Sequence, residues 1–412
     1  MCTGVALDIL GDYLSDSEVS ILSQTFVEVE DPVTTHISFS RRAQLPCTIS
    51  IYFESVPVDH LDSVEGQLMD VFYDVAKEGF DMERMAIVIR ALKNRLLLSV
   101  EEGPGPVISS KLIHETIYGT LDGRTLSNDL KDLIYFDRLA DWTSENWVAL
   151  LKKCLPPPFL RRSRLTSRWL INNPHVVILG KPSANLARTL EQNELARVKA
   201  QEKRLGEQGL LDKKRKLEEA QEENDRPIPQ ELIRKFKVPK ITDIKFIEMI
   251  NAVYVPQSAR KPPYRNEIER VLDVDESDHP LDLVFSHTRT HFVTVIIYIT
   301  TKDITAELLP YLQLYLDSFF ALPMMRDGGL VEYEEVVKEV NRLTVDKSAS
   351  MGVEDLAEVL TIQLRAETSR YQDIIRLLGD LFVHSVFSPE RYVPSLFCLR
   401  LTVGWQLRHP RR

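Results

Sequence analysis

Cysteine is scarce in this sequence, and its few cysteines stand far apart. The 412 residues contain four, Cys2, Cys47, Cys154 and Cys398, and no two of them form a CxxC pair. Small disulfide-stabilised domains and cysteine-rich zinc sites both need closely spaced cysteines. The pattern therefore argues against both and favours a reducing compartment.

Long apolar runs and an excess of basic residues are also missing. The best apolar run, residues 292–299, has the length of a β-strand and is too short to cross a bilayer. The N-terminal residues MCTGVALDILGDYL lack the features of a signal or transit peptide. The net charge of −10 argues against nucleic acid or an anionic membrane as the main partner. We expect no membrane span, and the cytosol and the mitochondrial matrix are the two candidate compartments.

Complete catalytic motifs are absent as well. His287 and His291 lie in HTRTH on a predicted strand, roughly 13 Å apart, with no acidic residue between them to serve as a base. His114 begins HETIYG, where Tyr118 stands in the place that a second metal ligand would need. No G-x-S-x-G elbow occurs. We therefore predict no catalytic and no metal-binding residue in this chain, and we interpret the histidines as exposed or half-buried side chains.

Two further stretches resemble ligand-binding loops only superficially. GPGP at residues 103–106 has no following GK[ST] and no preceding strand, so it predicts a turn instead of a phosphate-binding loop. DVDESDH, which starts at Asp273, lacks the glycine and the distal glutamate of a calcium loop. It is better interpreted as an acidic surface loop.

What the sequence does contain is one long, highly charged stretch at residues 183–225. Its sparse leucines and valine are spaced to form one narrow helical stripe. Ser183 is a good N-cap, and Gly206 and Gly209 interrupt the pattern. The stretch therefore predicts a helical hairpin between two α/β regions, with a disordered charged linker as the alternative. Because acidic and basic residues alternate, a nucleic-acid-binding arm is disfavoured.

The region before the charged stretch has the pattern of helices covering one sheet. We predict a first helix within residues 5–14, an extended hairpin that includes residues 48–53, and amphipathic helices at residues 61–76 and from Asp81 onward. Thr143 is a candidate N-cap for a helix around Trp147. Residues 175–180, HVVILG, are predicted to form a buried closing strand. An α+β fold follows.

The region after the charged stretch repeats this plan. Strands are predicted at residues 246–255 and 283–301, a buried helix at 308–320, a helix at 331–343, short strands at 344–350 and 359–367, and a helix at 371–383. We interpret this as a weak internal duplication of architecture. Two pieces do not fit the pattern. Residues 156–168 are Pro-rich and basic, and we interpret them as a surface loop or a gene-model insertion. The tail from Tyr392 is interpreted as a truncated or misread C-terminus.

Several stretches together resemble the pitrilysin/insulinase family of zinc metallopeptidases, and particularly its presequence-protease-like branch. They are YLSDSEVSILSQTFVEVEDP, VPVDHLDSVEGQLMDVF, EGFDMERMAIVIRALK, DWTSENWVALLKK, VVILGKPSA, FVTVIIYITTKDITAELLPYLQLYLDSFFALP, YEEVVKEVNRLTV and SVFSPERY. Each stretch alone is unspecific, but they occur in one order over nearly the whole chain.

The resemblance implies repeated α/β domains that form a monomeric clamshell whose halves are joined by a helical hairpin. Residues 1–182 would be the second domain of the N-terminal half, without its first strand. Residues 183–226 would be the hairpin, and residues 227–412 an incomplete third domain with an atypical tail after 392. The missing domains of the clamshell would be the partners of this chain.

The resemblance also implies zinc-dependent hydrolysis of peptides in the intact family. The HxxEH motif of that family lies in a first domain that this chain lacks, so no catalytic residue can be transferred to a position here. We therefore expect that the intact family binds zinc and that this chain binds none. We also expect the chain to be an internal fragment without activity of its own. The alternative is a non-catalytic structural or interaction protein on the same fold, similar to the core subunits of respiratory complexes.

Overall fold

The computed structural model describes residues 3–42, 48–120, 122–154, 176–235, 238, 240–243, 245–254, 265–274, 281–353 and 356–388. Within them the chain is an α+β protein with small antiparallel sheets. The helices are α1 (Thr3–Ser15), α2 (Ile21–Phe26), α3 (Val64–Glu78), α4 (Met82–Glu102), α5 (Pro104–Tyr118), α6 (Arg124–Asp129), α7 (Asp132–Ala140), α8 (Ser144–Cys154), α9 (Ala184–Asn224), α10 (Gln230–Lys235), α11 (Glu267–Val274), α12 (Leu309–Ser318), α13 (Tyr333–Leu343) and α14 (Tyr371–Val383). The strands are β1 (His36–Arg42), β2 (Thr48–Glu54), β3 (Ile250–Tyr254), β4 (Leu283–His287), β5 (Phe292–Thr300), β6 (Met324–Arg326), β7 (Gly329–Val331), β8 (Asp346–Val353) and β9 (Leu356–Glu367).

The described residues fall into two compact units. The first unit combines residues 1–178 with residues 290–412, and the second covers residues 179–289. The first unit contains two apolar cores, one built from α1 to α4, α7 and α8 with β1 and β2, and one built from the elements after Thr290. The domain boundaries expected at 182 and 226 stay predictions.

The first core forms where α1 and α4 pack together beside the antiparallel pair of β1 and β2. Its largest fully buried side chains include Phe26 and Trp147. Helix α4 begins at the predicted position, and Asp81 is its N-cap, because the Asp81 carboxylate accepts hydrogen bonds from the N–H groups of Glu83 and Arg84. A Cβ at Gly11 would overlap the ring of Phe39, so this glycine lets α1 approach β1 closely.

The second core lies under an antiparallel sheet with the strand order β5-β9-β8. Along β5 the side chains alternate, and its inward-facing valines and isoleucines pack against α12, α13 and α14. The apolar residues of α14 have helical spacing, with Ile374, Leu377, Leu378 and Leu381 buried. Helix α4 of the first core contacts this sheet.

Most predicted elements of both regions are confirmed, including a helix at residues 371–383, and two details are wrong. Residues 283–301 form two strands, β4 and β5, instead of one. Residues 176–180 form no strand. Thr143 does occupy the N-cap position of α8, because its carbonyl accepts a hydrogen bond from the N–H of Trp147, but its hydroxyl donates to Asn146 Oδ1. His175, residues 156–168 and the tail from Tyr392 lie outside the described residues.

The second unit includes α9, which covers the charged stretch. The Ser183 hydroxyl accepts a hydrogen bond from the N–H of Leu186 and caps α9 as predicted. Gly206 has φ 62° and ψ −177°, a conformation open almost only to glycine, so two helical segments meet there. All side chains of α9 are exposed or half-exposed, and β3 and β4 form a separate antiparallel pair. An antiparallel hairpin of the two helical segments stays a prediction.

Candidate functional site: the polar junction along helix α4

Helix α4 ends in two glutamates, and both contact the region after Thr290. The last turn of α4 contains no basic residue, although the partial negative charge of a helix C-terminus disfavours acidic side chains there. Glu101 and Glu102 are therefore placed where only cations from elsewhere can offset their charge. We call the contacts of α4 with the elements after Thr290 the polar junction.

Glu101 binds His291, the residue that precedes β5. Its Oε1 lies 2.6 Å from His291 Nδ1 and accepts a hydrogen bond of 3.0 Å from the backbone N–H of His291. Burial by itself raises the pKa of Glu101, but the hydrogen bonds from the side chain and backbone of His291 and its charge lower it. The resulting pKa is below the ordinary value, so Glu101 is held in its ionised form. The His291 side chain is 89% exposed, so the contact between Glu101 and His291 lies at the protein surface.

Glu102 binds Arg365 of β9. Arg365 Nη1 lies 2.6 Å from Glu102 Oε1, and Arg365 Nε donates a hydrogen bond of 3.0 Å to the hydroxyl of Thr294 on β5. The Arg365 side chain is only 19% exposed, while that of Glu102 is 57% exposed. Thr294 and Arg365 are opposite each other in the sheet register, so the guanidinium is fixed by the sheet before it meets α4.

A small cavity lies midway along the junction. It has a volume of about 10 Å³ and is lined by α4 residues such as Arg90 and Asn94, by residues 341–345 at the end of α13, and by Glu367. This volume accommodates about one water molecule and no larger ligand. In addition, the Gln24 side chain of α2 donates a hydrogen bond of 2.9 Å to the hydroxyl of Tyr333 on α13. The junction is thus a set of polar contacts and not a substrate pocket.

A second polar network supports α4 from within the first core. Three aspartates spaced four residues apart, Asp8 and Asp12 on α1 and Asp16 directly after it, each meet an arginine. The pairs are Asp8 with Arg41 at 2.7 Å, Asp12 with Arg95 at 3.1 Å, and Asp16 with Arg84 at 2.7 Å. Burial raises the pKa of Asp12, Arg95 lowers it, and the charges of Asp16 and Asp8 raise it further, so the net shift is upward. Two of the three arginines belong to α4, so this network fixes the helix that carries the junction glutamates.

The histidines considered from the sequence are dispersed in the structure. His291 belongs to the junction, whereas His287 ends β4 in the other unit and stacks on Phe285. His114 Nδ1 lies 3.4 Å from an Asp129 carboxylate oxygen, and its ring contacts Tyr118. Both contacts are made within the helices α5 and α6, and neither brings a second histidine close.

The two loop-like stretches also differ in outcome. Gly103 separates α4 from α5 and is the N-cap residue of α5, so a break between two helices is present. The turn predicted over residues 103–106 is wrong, because Pro104–Pro106 form the first turn of α5, where proline is tolerated. Asp273 belongs to the last turn of α11. The following residues 275–279 of DVDESDH lie outside the part of the chain that the structure describes.

Among the described residues, no three His, Cys, Asp or Glu side chains are grouped so that they could hold a metal ion. In the same part of the chain, no helix is both long and apolar enough to span a bilayer.

The junction residues Glu102 and Arg365 were not singled out by the sequence analysis. One signal was available: consecutive glutamates directly before Gly103, in the last turn of a predicted helix, are unfavourable unless a cation meets them. The identity of that cation was not accessible, because Arg365 is 263 residues away in the chain.

Comparisons with known proteins give relatives but no family. No family model matches the sequence. The chain is 28% identical over 400 residues to an uncharacterized protein of Schizosaccharomyces pombe, 24% over 399 residues to one of Saccharomyces cerevisiae, and 24% over 394 residues to one of Caenorhabditis elegans. Each alignment covers 94% of this chain but only 36–37% of the relative. The chain thus spans little more than a third of the length of the curated relatives it matches.

Proposed function

We propose that this chain is a non-catalytic α/β part of a longer zinc metalloendopeptidase-like protein of the pitrilysin/insulinase type, whose function is peptide degradation. The observation that carries the proposal is the order of elements: one apolar core, a charged helical segment of 41 residues, then a second apolar core. The family resemblance requires this order. The colinear stretches that carry the resemblance fall on both cores.

The comparisons support the part of the proposal that concerns length. Relatives from two yeasts and a nematode align over almost all of this chain and have most of their sequence outside the alignment. In the proposed arrangement the zinc-binding HxxEH motif belongs to that additional sequence, and this chain contributes structure. Its partners are the remaining domains of the clamshell and, in the intact enzyme, peptides. The cytosol or the mitochondrial matrix is the proposed compartment.

Zinc content and peptide cleavage, measured with and without a chelator, test the proposal on two products. One is this chain, and the other is a longer product that also includes the coding sequence on either side of it. We expect neither zinc nor cleavage from this chain. From the longer product we expect an in-frame HxxEH, one zinc per chain and cleavage that the chelator abolishes. A longer product without HxxEH and without zinc would overturn the metallopeptidase proposal.

One observation favours a second candidate, a structural or interaction protein on the same fold. Helix α5 has no buried residue, although isoleucine and leucine recur along it. An apolar helix of this kind is typical of a surface that another protein or domain covers. If the longer product lacks zinc and activity but forms a stable complex with a partner, this alternative replaces the first. If this chain itself binds zinc and cleaves peptides, the site prediction is wrong, and His287 and His291 are the first residues to substitute.

A further inference from the structure

The polar junction joins two regions that are far apart in sequence but belong to one compact unit. Beyond the contact of α4 with α13, its charged contacts lie at the C-terminal end of α4 on one side and at the adjacent ends of β5 and β9 on the other. They are the ion pairs Glu101–His291 and Glu102–Arg365, each with an N···O distance of 2.6 Å. Neither pair belongs to an apolar core, so their removal leaves both cores intact.

We propose that these two ion pairs form a charge latch, which holds the described residues between 3 and 154 against the described residues between 290 and 388. The proposal goes beyond the proposed function and does not depend on it. A latch is distinguished from ordinary surface pairs by position, because both acidic members are at the one end of α4 where they are unfavourable without cations. The side chains that offset these charges are within reach only when the two regions are in contact.

Amide hydrogen exchange followed by mass spectrometry measures opening of the latch directly. The variants are Glu101→Gln, Glu102→Gln and the double variant, each of which removes a charge but keeps the side-chain shape. Glu194→Gln is the matched control, because Glu194 makes an equally short 2.6 Å pair with Arg197 inside α9 of the other unit. We expect exchange at residues 290–294 and 365–368 to be about two- to fivefold faster in each single variant and faster still in the double variant.

Two outcomes would overturn the latch as a whole. One is exchange at the junction that is no faster in the double variant than in the Glu194→Gln control. The other is faster exchange spread evenly over α1 and β1 as well, because that pattern reports a loss of global stability. Exchange that accelerates only at the ends of α4, β5 and β9 supports local separation of the two regions.

Discussion

Arg84 and Asp16 form an ion pair that is almost closed to solvent, with Arg84 Nη2 2.7 Å from Asp16 Oδ1 and side chains only 10% and 13% exposed. The same guanidinium donates a hydrogen bond of 2.6 Å to the backbone carbonyl of Tyr13 and lies over the Tyr13 ring, 4.4 Å from its centroid. One side chain of α4 therefore satisfies three groups at the end of α1. Arg84 thus connects α4 with the C-terminal end of α1.

Replacement of Arg84 by alanine is expected to lower the free energy of unfolding by about 3 kcal/mol, because Asp16 would keep a buried charge without a cation and with only the hydrogen bond from the Ser17 hydroxyl. Lys93→Gln is the control on the same helix. Lys93 pairs with Asp137 at 2.5 Å, but Asp137 is 67% exposed, so a loss below about 1 kcal/mol is expected. Urea unfolding followed by circular dichroism measures both. Equal losses would mean that burial of the Arg84 pair contributes nothing.

Asp12 makes stability depend on pH in the direction opposite to most carboxylates. Because its pKa is raised in the folded state, the folded protein holds this proton more tightly than the unfolded chain does. Its contribution to stability is full below the ordinary pKa of 3.8 and falls as the pH rises through the raised value.

Asp12→Asn removes this titration, so the stability of the variant relative to wild type is expected to increase from about pH 4 upward. At pH 7 the two should agree within about 1 kcal/mol, since the variant also loses a partly exposed pair with Arg95. Urea midpoints measured at several pH values give the comparison. A stability difference that stays constant with pH would contradict the assignment.

Gly11 and Gly66 provide a matched pair of helical glycines. A Cβ at Gly11 on α1 would overlap the Phe39 ring, whereas nothing lies within 4 Å of a Cβ at Gly66 on α3. Gly11→Ala is expected to destabilise by about 1–3 kcal/mol through overpacking, despite the better helix propensity of alanine. Gly66→Ala is expected to stabilise by up to about 1 kcal/mol. Thermal unfolding of both variants measures the two effects. A stabilising effect of Gly11→Ala would show that the Phe39 ring moves aside at little cost in free energy.

Local patterns in the sequence are sufficient for most of the elements in both cores. The cap at Asp81 and the spacing of Ile374, Leu377 and Leu381 each depend on neighbours within two helical turns, so they are visible before any tertiary contact is known. The error at residues 283–301 has the same origin: both strands contain β-branched and aromatic residues, and no glycine or proline marks the break between His287 and Phe292.

The contacts of the junction could not be derived in this way. Glu102 and Arg365 are 263 residues apart, and many arginines in the sequence could have matched the glutamates of α4. Only the position of β9 in the middle of its sheet brings Arg365 next to Thr294 and then to α4. Residues 176–180 show the converse, since an apolar run by itself does not form a strand without a partner strand.

Helix α5 leads to a prediction about solubility. Ile113 and Ile117 are 59% and 61% exposed, and Ile108 and Leu112 on the same helix are exposed as well. Apolar residues grouped in this way promote association when no partner covers them. We therefore expect the chain, expressed alone, to self-associate, and we expect Ile113→Lys with Ile117→Lys to reduce that association.

Size-exclusion chromatography with light scattering, over a range of protein concentrations, measures the effect. Because both isoleucines are exposed, the double variant should keep the thermal unfolding temperature of the wild type to within a few degrees. Leu190→Lys on the charged helix α9 is the control, since Leu190 is 58% exposed but has charged neighbours, and it should leave association unchanged. A wild-type chain that elutes as a clean monomer with a cooperative thermal transition would show that α5 needs no cover, and the argument for a partner surface on this helix would fail.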